Sequence, residues 1–275
     1  MKKVYKAHIL FTKERTQFEV IENGFVAVED GKVAGVYEQL PDELKDTPVT
    51  DFGDKLLIPA MNDMHVHAPQ YRNQGIAMDL ELLPWLQNYT FPEESKYADT
   101  HYAERMYRRF VRDLWRFGSM RTVAFATVHR DSTRLLMNLF REAGMGAMVG
   151  KVDMNRNCPD ALTETVEDAI RDNEARIKEC NCTDSTDFTD ALVRPIITPR
   201  FVPSCTPELL QACGELARKY KLPVQSHLSE NRSEIAWVQE LERKASITAM
   251  RTDVTDCLAK HRRSWRTASG RTVTN

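Results

Sequence analysis

The feature that most constrains the fold is a regular alternation of strand-like and helix-like segments after His67. Apolar residues recur at helical spacing in segments 97–117, 133–142, 160–179 and 207–220. Short β-rich segments lie between and after them, at 121–128, 146–153, 193–198 and 222–227. This order predicts βαβ units and a parallel α/β sheet, which places functional residues at the carboxyl ends of the strands. Together with the strand that ends at His67 the pattern gives five strands, whereas a closed (β/α)8 barrel has eight.

The first 58 residues show a different pattern of short strands and turns. Strands are predicted at Val4 to Phe11 and at Phe25 to Val28. Asp30-Gly31 is a type I′ hairpin signal that leads into a partner strand at Lys32 to Tyr37. Residues 41–49 form a polar connection. We therefore expect a small N-terminal β-domain over residues 1–58.

Three histidines and one glutamate have the spacing of a metal site. His65 and His67 are one residue apart on a predicted strand, so both imidazoles point to the same side. His227 ends a later strand, and Glu230 follows three residues on. These residues suit a metal-activated water with a carboxylate that transfers its protons. The alternatives are strand-end histidines without a metal and a glutamate that stabilises the start of a helix.

Composition narrows the possible partners. The net charge of −2 gives no electrostatic footprint for nucleic acid. No apolar stretch reaches the roughly 20 residues of a membrane span, and Met1-Lys2-Lys3 leads into an amphipathic strand, so we expect a cytoplasmic protein. The six cysteines lack C-x-x-C spacing and are predicted to be free thiols.

Several long motifs resemble the amidohydrolase superfamily and, within it, the guanine deaminase family. They occur in the family's order at 59–71, 83–86 with 89–92, 151–157, 198–205 and 225–231. The segment Pro59 to Tyr71 is similar to the family's first-strand motif, except that Ala60 replaces its usual glycine. The resemblance extends from about residue 1 to Leu241.

This resemblance implies a fold, a cofactor and a reaction. The fold is an incomplete (β/α)8 TIM-like barrel over residues 59–241, holding the first five strands, preceded by a β-sandwich-type domain. His65, His67 and His227 are implied to bind one catalytic zinc ion, which activates water for attack on C2 of guanine. Glu230 is implied to carry the proton, giving xanthine and ammonia. The family tends to form homodimers.

Three further residues are implied to bind the substrate. Gln70 is implied to form a hydrogen bond with the purine edge. Arg200 is implied to lie at the O6 side, and Phe201 to pack on the plane of the ring. From the sequence alone, Arg200 can also be a solvated charge at the end of a strand, and Phe201 can also be a core residue. Two alternative functions also stay open, an amidohydrolase acting on another purine, a pyrimidine or a triazine, and a non-catalytic remnant of such an enzyme.

Residues 242–275 differ from the rest of the chain. They are rich in Arg, Thr and Ser and show neither helical nor strand periodicity. Residues 255–267 can be back-translated with chosen synonymous codons, and the same bases read in a shifted frame then encode a peptide that resembles the family's next segment. We therefore interpret the tail as out of frame. The family continues here with three more strands that bring a further histidine and an aspartate to the site. We therefore expect this chain to be weakly active or inactive.

Overall fold

The structure is a computed structural model that describes residues 2–180 and 192–244. Of the tail predicted over residues 242–275, residues 242–244 are the end of a helix, contrary to expectation, and residues 245–275 lie outside the described residues. The chain divides into two compact units, with the division between Met61 and Asn62. No helix within the described ranges combines the length and the apolar character needed to cross a membrane.

The first unit contains one four-stranded sheet. Its strands are β1 (Lys2–Glu14), β2 (Gln17–Glu29), β3 (Lys32–Tyr37) and β4 (Val49–Leu57), in the spatial order β3-β2-β1-β4. The predicted hairpin at Asp30-Gly31 is confirmed, because both residues have the positive φ, 50° and 79°, that a type I′ turn requires. β4 was not predicted, because its sequence lacks the alternation of apolar and polar residues that marks a strand. Its residues are largely exposed in the structure. The second sheet of a sandwich stays a prediction.

The second unit is built on the parallel sheet that the sequence predicts. Its main sheet has the order β5-β6-β7-β9, formed by Met61–His67, Ser119–Phe125, Gly146–Gly150 and Val193–Pro195. Two short strands, β8 (Val152–Asp153) and β10 (Thr198–Pro199), pair in parallel beyond β7 and β9. All these strands direct their carboxyl ends toward the loops that carry the predicted site residues.

Helices follow the strands in this unit. The longer ones are α3 (Thr100–Arg116), α4 (Arg130–Glu142), α5 (Val166–Glu179), α6 (Pro207–Tyr220) and α7 (Arg232–Lys244), and two short ones, α1 (Leu82–Trp85) and α2 (Phe91–Ser95), precede them. The buried positions of α3 fall at i, i+3, i+4, i+7 and i+8, from Ala103 to Val111. That stripe joins α4 and β7 in one apolar core.

Two predicted elements need correction. The helix expected from residue 160 begins at Val166, because Thr165 accepts the Asp168 N–H at 3.0 Å and caps it. The strand expected at 222–227 is reduced to one parallel bridge between Ile197 and Val224. Two backbone bonds still hold this segment beside Ile197, and Pro223 within it has no N–H to extend the ladder.

A buried ionic cluster joins β8 to the loop before α5. Lys151 Nζ lies 2.9 Å from Asp153 Oδ1 and 2.6 Å from Glu164 Oε2, and the Lys151 and Asp153 side chains are fully buried. Burial raises the pKa of Glu164 to about 8 against the opposing effect of Lys151. Burial lowers the pKa of Lys151, but the two carboxylates outweigh it and the net shift is upward. The cluster therefore stabilises the charged form of Lys151, while burial favours the protonated form of Glu164.

The raised pKa of Glu164 makes the stability of the fold depend on pH. The folded state keeps the Glu164 proton up to about pH 8, whereas the unfolded chain releases it near 4.5. As pH rises through this window, the free energy of unfolding of the wild type should therefore fall relative to that of Glu164→Gln. The fall should be at most about 1.4 kcal/mol per pH unit. Urea unfolding at several pH values measures the difference. The exposed Glu167→Gln should run parallel to wild type, and a parallel course for Glu164→Gln would contradict the prediction.

Candidate active site

Three histidine rings converge where β5 ends and segment 222–227 passes beside it. One ring nitrogen each from His65, His67 and His227 lies within 4.8 Å of the others. The Nε2 atoms of His67 and His227 are 2.9 Å apart. The His65 ring centroid is 5.2 Å from that of His67 and 5.0 Å from that of His227. The structure thus brings together the three residues that the sequence assigned to one metal.

The backbone fixes the orientation of His227. Its Nδ1 lies 2.8 Å from the carbonyl oxygen of Arg200, which also accepts the His227 backbone N–H at 3.0 Å. Because the carbonyl can only accept, Nδ1 carries the proton and Nε2 keeps its lone pair on the side of His67. Histidine metal ligands have this arrangement of an outer carbonyl partner.

Burial favours the neutral form of all three rings, most strongly for His67 and His227, since His65 is more exposed. It holds the pKa of His67 well below its usual value, with added repulsion from His227 and Arg200. Burial and Arg200 together lower the pKa of His227 to about 3, and burial also lowers the pKa of His65. Neutral imidazole is the form that binds a metal ion, so the donor set fits a divalent cation.

Phe125 forms the base of this cluster and was not predicted. Its fully buried ring stacks on His67 at a centroid distance of 4.4 Å and lies 5.1 Å and 4.6 Å from the rings of His65 and His227. Phe125 ends β6, the strand next to β5 in the sheet. Its position after an apolar strand is the signal that could have placed it at the same sheet edge as the histidines.

All seven predicted site residues line one cavity of about 940 Å³. They are His65, His67, Gln70, Arg200, Phe201, His227 and Glu230. Phe201 is only 4% exposed and also packs in an apolar cluster with Phe125, so it is both a core residue and part of the cavity wall. The structure places the residues together, and their individual roles stay predictions.

Arg200 is not the solvated charge that the sequence left open. It is 2% exposed, and its Nη1 donates to Glu94 Oε2 at 2.6 Å. Its guanidinium also lies over the Phe91 ring, 5.2 Å from the centroid. The second oxygen of Glu94 accepts the Gln70 side-chain N–H at 3.0 Å. Glu94 was not predicted, because its partners lie far from it in the chain.

The loop that carries Glu230 is held by the start of α7. Asn231 Oδ1 accepts the Glu234 N–H at 2.7 Å, and the buried Glu234 carboxylate accepts the backbone N–H groups of Ser229 and Glu230. Asn231, rather than Glu230, is thus the N-cap of α7, and Glu234 binds the two backbone N–H groups that precede this cap. Glu230 is therefore left to face the cavity. Burial first, and then the charge of Glu234, raises the pKa of Glu230.

A parallel α/β sheet with three histidines and a carboxylate at the carboxyl ends of its strands is the arrangement typical of the class of metal-dependent hydrolases. The Amidohydrolase family model matches residues 56–261, and the chain belongs to this family, whose fold is of the TIM-barrel type.

Individual relatives are more specific. The chain is 38% identical over 256 residues to a guanine deaminase of Dictyostelium discoideum. This match covers 87% of the chain and 56% of that protein. It is 43% identical over 194 residues to a probable guanine deaminase of Schizosaccharomyces pombe, covering 70% of the chain and 36% of that protein.

The solved structures agree with the relatives. The crystal structure of a guanine deaminase from C. acetobutylicum, with guanine bound in its active site, superposes with a TM-score of 0.84 at 48% identity. The match covers 90% of this chain and 57% of that one. The chain therefore spans little more than half the length of the D. discoideum and C. acetobutylicum proteins, and the match to the S. pombe protein covers 36% of it.

Proposed function

We propose that this site belongs to an enzyme that hydrolyses guanine to xanthine and ammonia. The observation that carries the proposal is the convergence of three histidines, one carboxylate and the pair Gln70 and Arg200, which Glu94 joins, on one cavity. Its support from outside the chain is the similarity to a guanine deaminase with guanine in its active site.

Zinc is the proposed metal, held by His65, His67 and His227. When bound by histidines, zinc acts as a Lewis acid and lowers the pKa of its water to about 7. Burial lowers the pKa of all three imidazoles and so favours the neutral form that binds a metal ion.

Glu230 is the proposed proton carrier. It takes one proton from the attacking water and passes it to a ring nitrogen of guanine. It then takes the proton of the new hydroxyl group at C2 and passes it to the amine, which leaves as ammonia while C2 becomes a carbonyl carbon. A carboxyl group suits both steps when its pKa is raised toward neutrality, and burial together with Glu234 shifts Glu230 in that direction.

The purine itself is proposed to lie against Phe201, with Arg200 at the O6 side and Gln70 at the ring edge. Arg200 retains donors beyond the one used by Glu94, and a carbonyl oxygen is a matching acceptor. Homodimerisation, a cytoplasmic location and the boundaries 1–58 and 59–241 are proposed along with this function.

Purified chain loaded with Zn²⁺ tests the function. We expect one zinc per chain, preferential retention of guanine over adenine in equilibrium dialysis, and xanthine with ammonia when the chain is in excess over guanine. Metal-free chain should form no xanthine. A zinc-loaded chain that neither retains guanine nor forms xanthine would overturn the proposal. The same assay tests the expectation of weak turnover, which substantial multiple turnover of guanine by the purified chain would refute.

A further inference from the structure

We propose that Glu94 is a positioning residue that sets the hydrogen-bond polarity of the substrate-facing pair Gln70 and Arg200. The inference rests on the proposed function, because it assigns the pair to guanine. Glu94 lies on α2 and is 1% exposed, so it does not compete for the ligand itself. Its two oxygens serve different partners, Oε1 the Gln70 amide at 3.0 Å and Oε2 the Arg200 guanidinium at 2.6 Å.

The first consequence concerns the Gln70 side chain. A carboxamide has a donor end and an acceptor end, and either can face a ligand. A carboxylate only accepts hydrogen bonds, so Glu94 must bind the NH₂ end of Gln70. The carbonyl oxygen of Gln70 is then the end left for the cavity, which Gln70 lines. Glu94 thereby makes Gln70 an acceptor.

The second consequence concerns Arg200. A cation that is 2% exposed needs a partner of opposite charge, and Glu94 provides it at 2.6 Å. Stacking on Phe91 fixes the plane of the guanidinium. Its remaining N–H groups can only donate, since a guanidinium has no acceptor atom.

Together the pair displays an acceptor beside cationic donors. A purine with a ring N–H and a carbonyl oxygen complements this pattern, as guanine does. 2,6-Diaminopurine has the same shape and the same C2 amine, but an amine replaces the carbonyl oxygen at C6 and the adjacent ring nitrogen is an acceptor. The fixed polarity should therefore discriminate against 2,6-diaminopurine.

The neighbouring Glu93 offers a matched control. It lies on the same helix and is 5% exposed, but its carboxylate bonds Lys96 Nζ at 2.7 Å and the Tyr102 hydroxyl, rather than residues of the cavity. Glu93→Gln removes a buried carboxylate of the same size without changing the partners of Gln70 or Arg200.

Dissociation constants for guanine and 2,6-diaminopurine test the inference on the zinc-loaded full chain. In Glu94→Gln, guanine should bind about 10- to 100-fold more weakly, because a charge-assisted bond is lost and Gln70 is free to turn. Binding of 2,6-diaminopurine should fall less or improve, so the preference for guanine narrows. Glu93→Gln should keep the wild-type preference, and all variants should keep one zinc.

Glu94→Asp is a second variant in case Glu94→Gln does not fold. It keeps the buried charge, but its side chain is one methylene shorter and cannot span both partners. Guanine affinity should therefore fall severalfold, and the preference for guanine over 2,6-diaminopurine should narrow in part. Circular dichroism and zinc content show whether Glu94→Gln folds, and if it does not, Glu94→Asp decides. Wild-type affinity and preference in the folded variant would overturn the role of Glu94 while leaving guanine binding intact. A wild-type chain that binds no guanine would overturn the proposed function and this inference with it.

Discussion

His67→Ala should lose zinc, with an affinity more than about 100-fold below that of the wild-type chain. Losing an outer hydrogen-bond partner of a metal ligand already costs about 10- to 100-fold, and His67 is a proposed direct ligand. The ring lies at the centre of the cluster, with its Nε2 2.9 Å from that of His227 and its face on Phe125. Competition with a chelator of known affinity measures the loss.

The matched control for this change is His101→Ala. His101 is exposed on α3, where its backbone N–H bonds the Asp99 side chain, a contact that the substitution keeps. It should bind zinc as the wild type does. Equal zinc affinity in His67→Ala and His101→Ala would contradict the proposed metal centre.

Glu230→Gln should lower the rate of xanthine formation about 100- to 10,000-fold relative to the wild-type chain's own rate. The amide keeps the shape of the side chain but cannot accept and return a proton at neutral pH. Zinc content and guanine affinity should change little, because Glu230 is assigned to proton transfer rather than to holding the metal or the ring. Experiments with the chain in excess over guanine detect even slow conversion.

Glu215→Gln serves as its control. Glu215 is exposed on α6 and accepts a hydrogen bond from Gln211, and its replacement should leave the rate unchanged. A Glu230→Gln chain that forms xanthine at the wild-type rate would remove Glu230 from the mechanism. If Glu230→Gln instead loses guanine binding, Glu230 would be assigned to substrate binding.

Local sequence signals predict part of this fold well. The limits of α6 are confirmed at Pro207 and Tyr220, because Thr206 and Pro207 supply a cap and a first-turn residue next to each other. The histidine pair is equally local, since strand geometry alone places His65 and His67 on one side. Cys158, Cys205 and Cys213 are free thiols, as predicted, whereas Cys182 and Cys257 lie outside the described residues.

Other features depend on choices that the local sequence leaves open. Thr163 and Thr165 are both possible caps for α5, but the Thr163 hydroxyl bonds back to Pro159 O at 3.0 Å and only Thr165 is available to the helix. The partners Glu94 and Arg200 lie 106 residues apart, and no spacing rule joins them. Such contacts arise only when separate βα units pack side by side.

The bridge made by Glu94 has an evolutionary consequence. Since one carboxylate supports two ligand-facing side chains, a change at position 70, 94 or 200 alters the setting of the other two. A new ring preference at this cavity would therefore require concerted replacement of all three, and single substitutions should be strongly epistatic. Homologues that accept other rings are expected to differ at these positions as a covarying set.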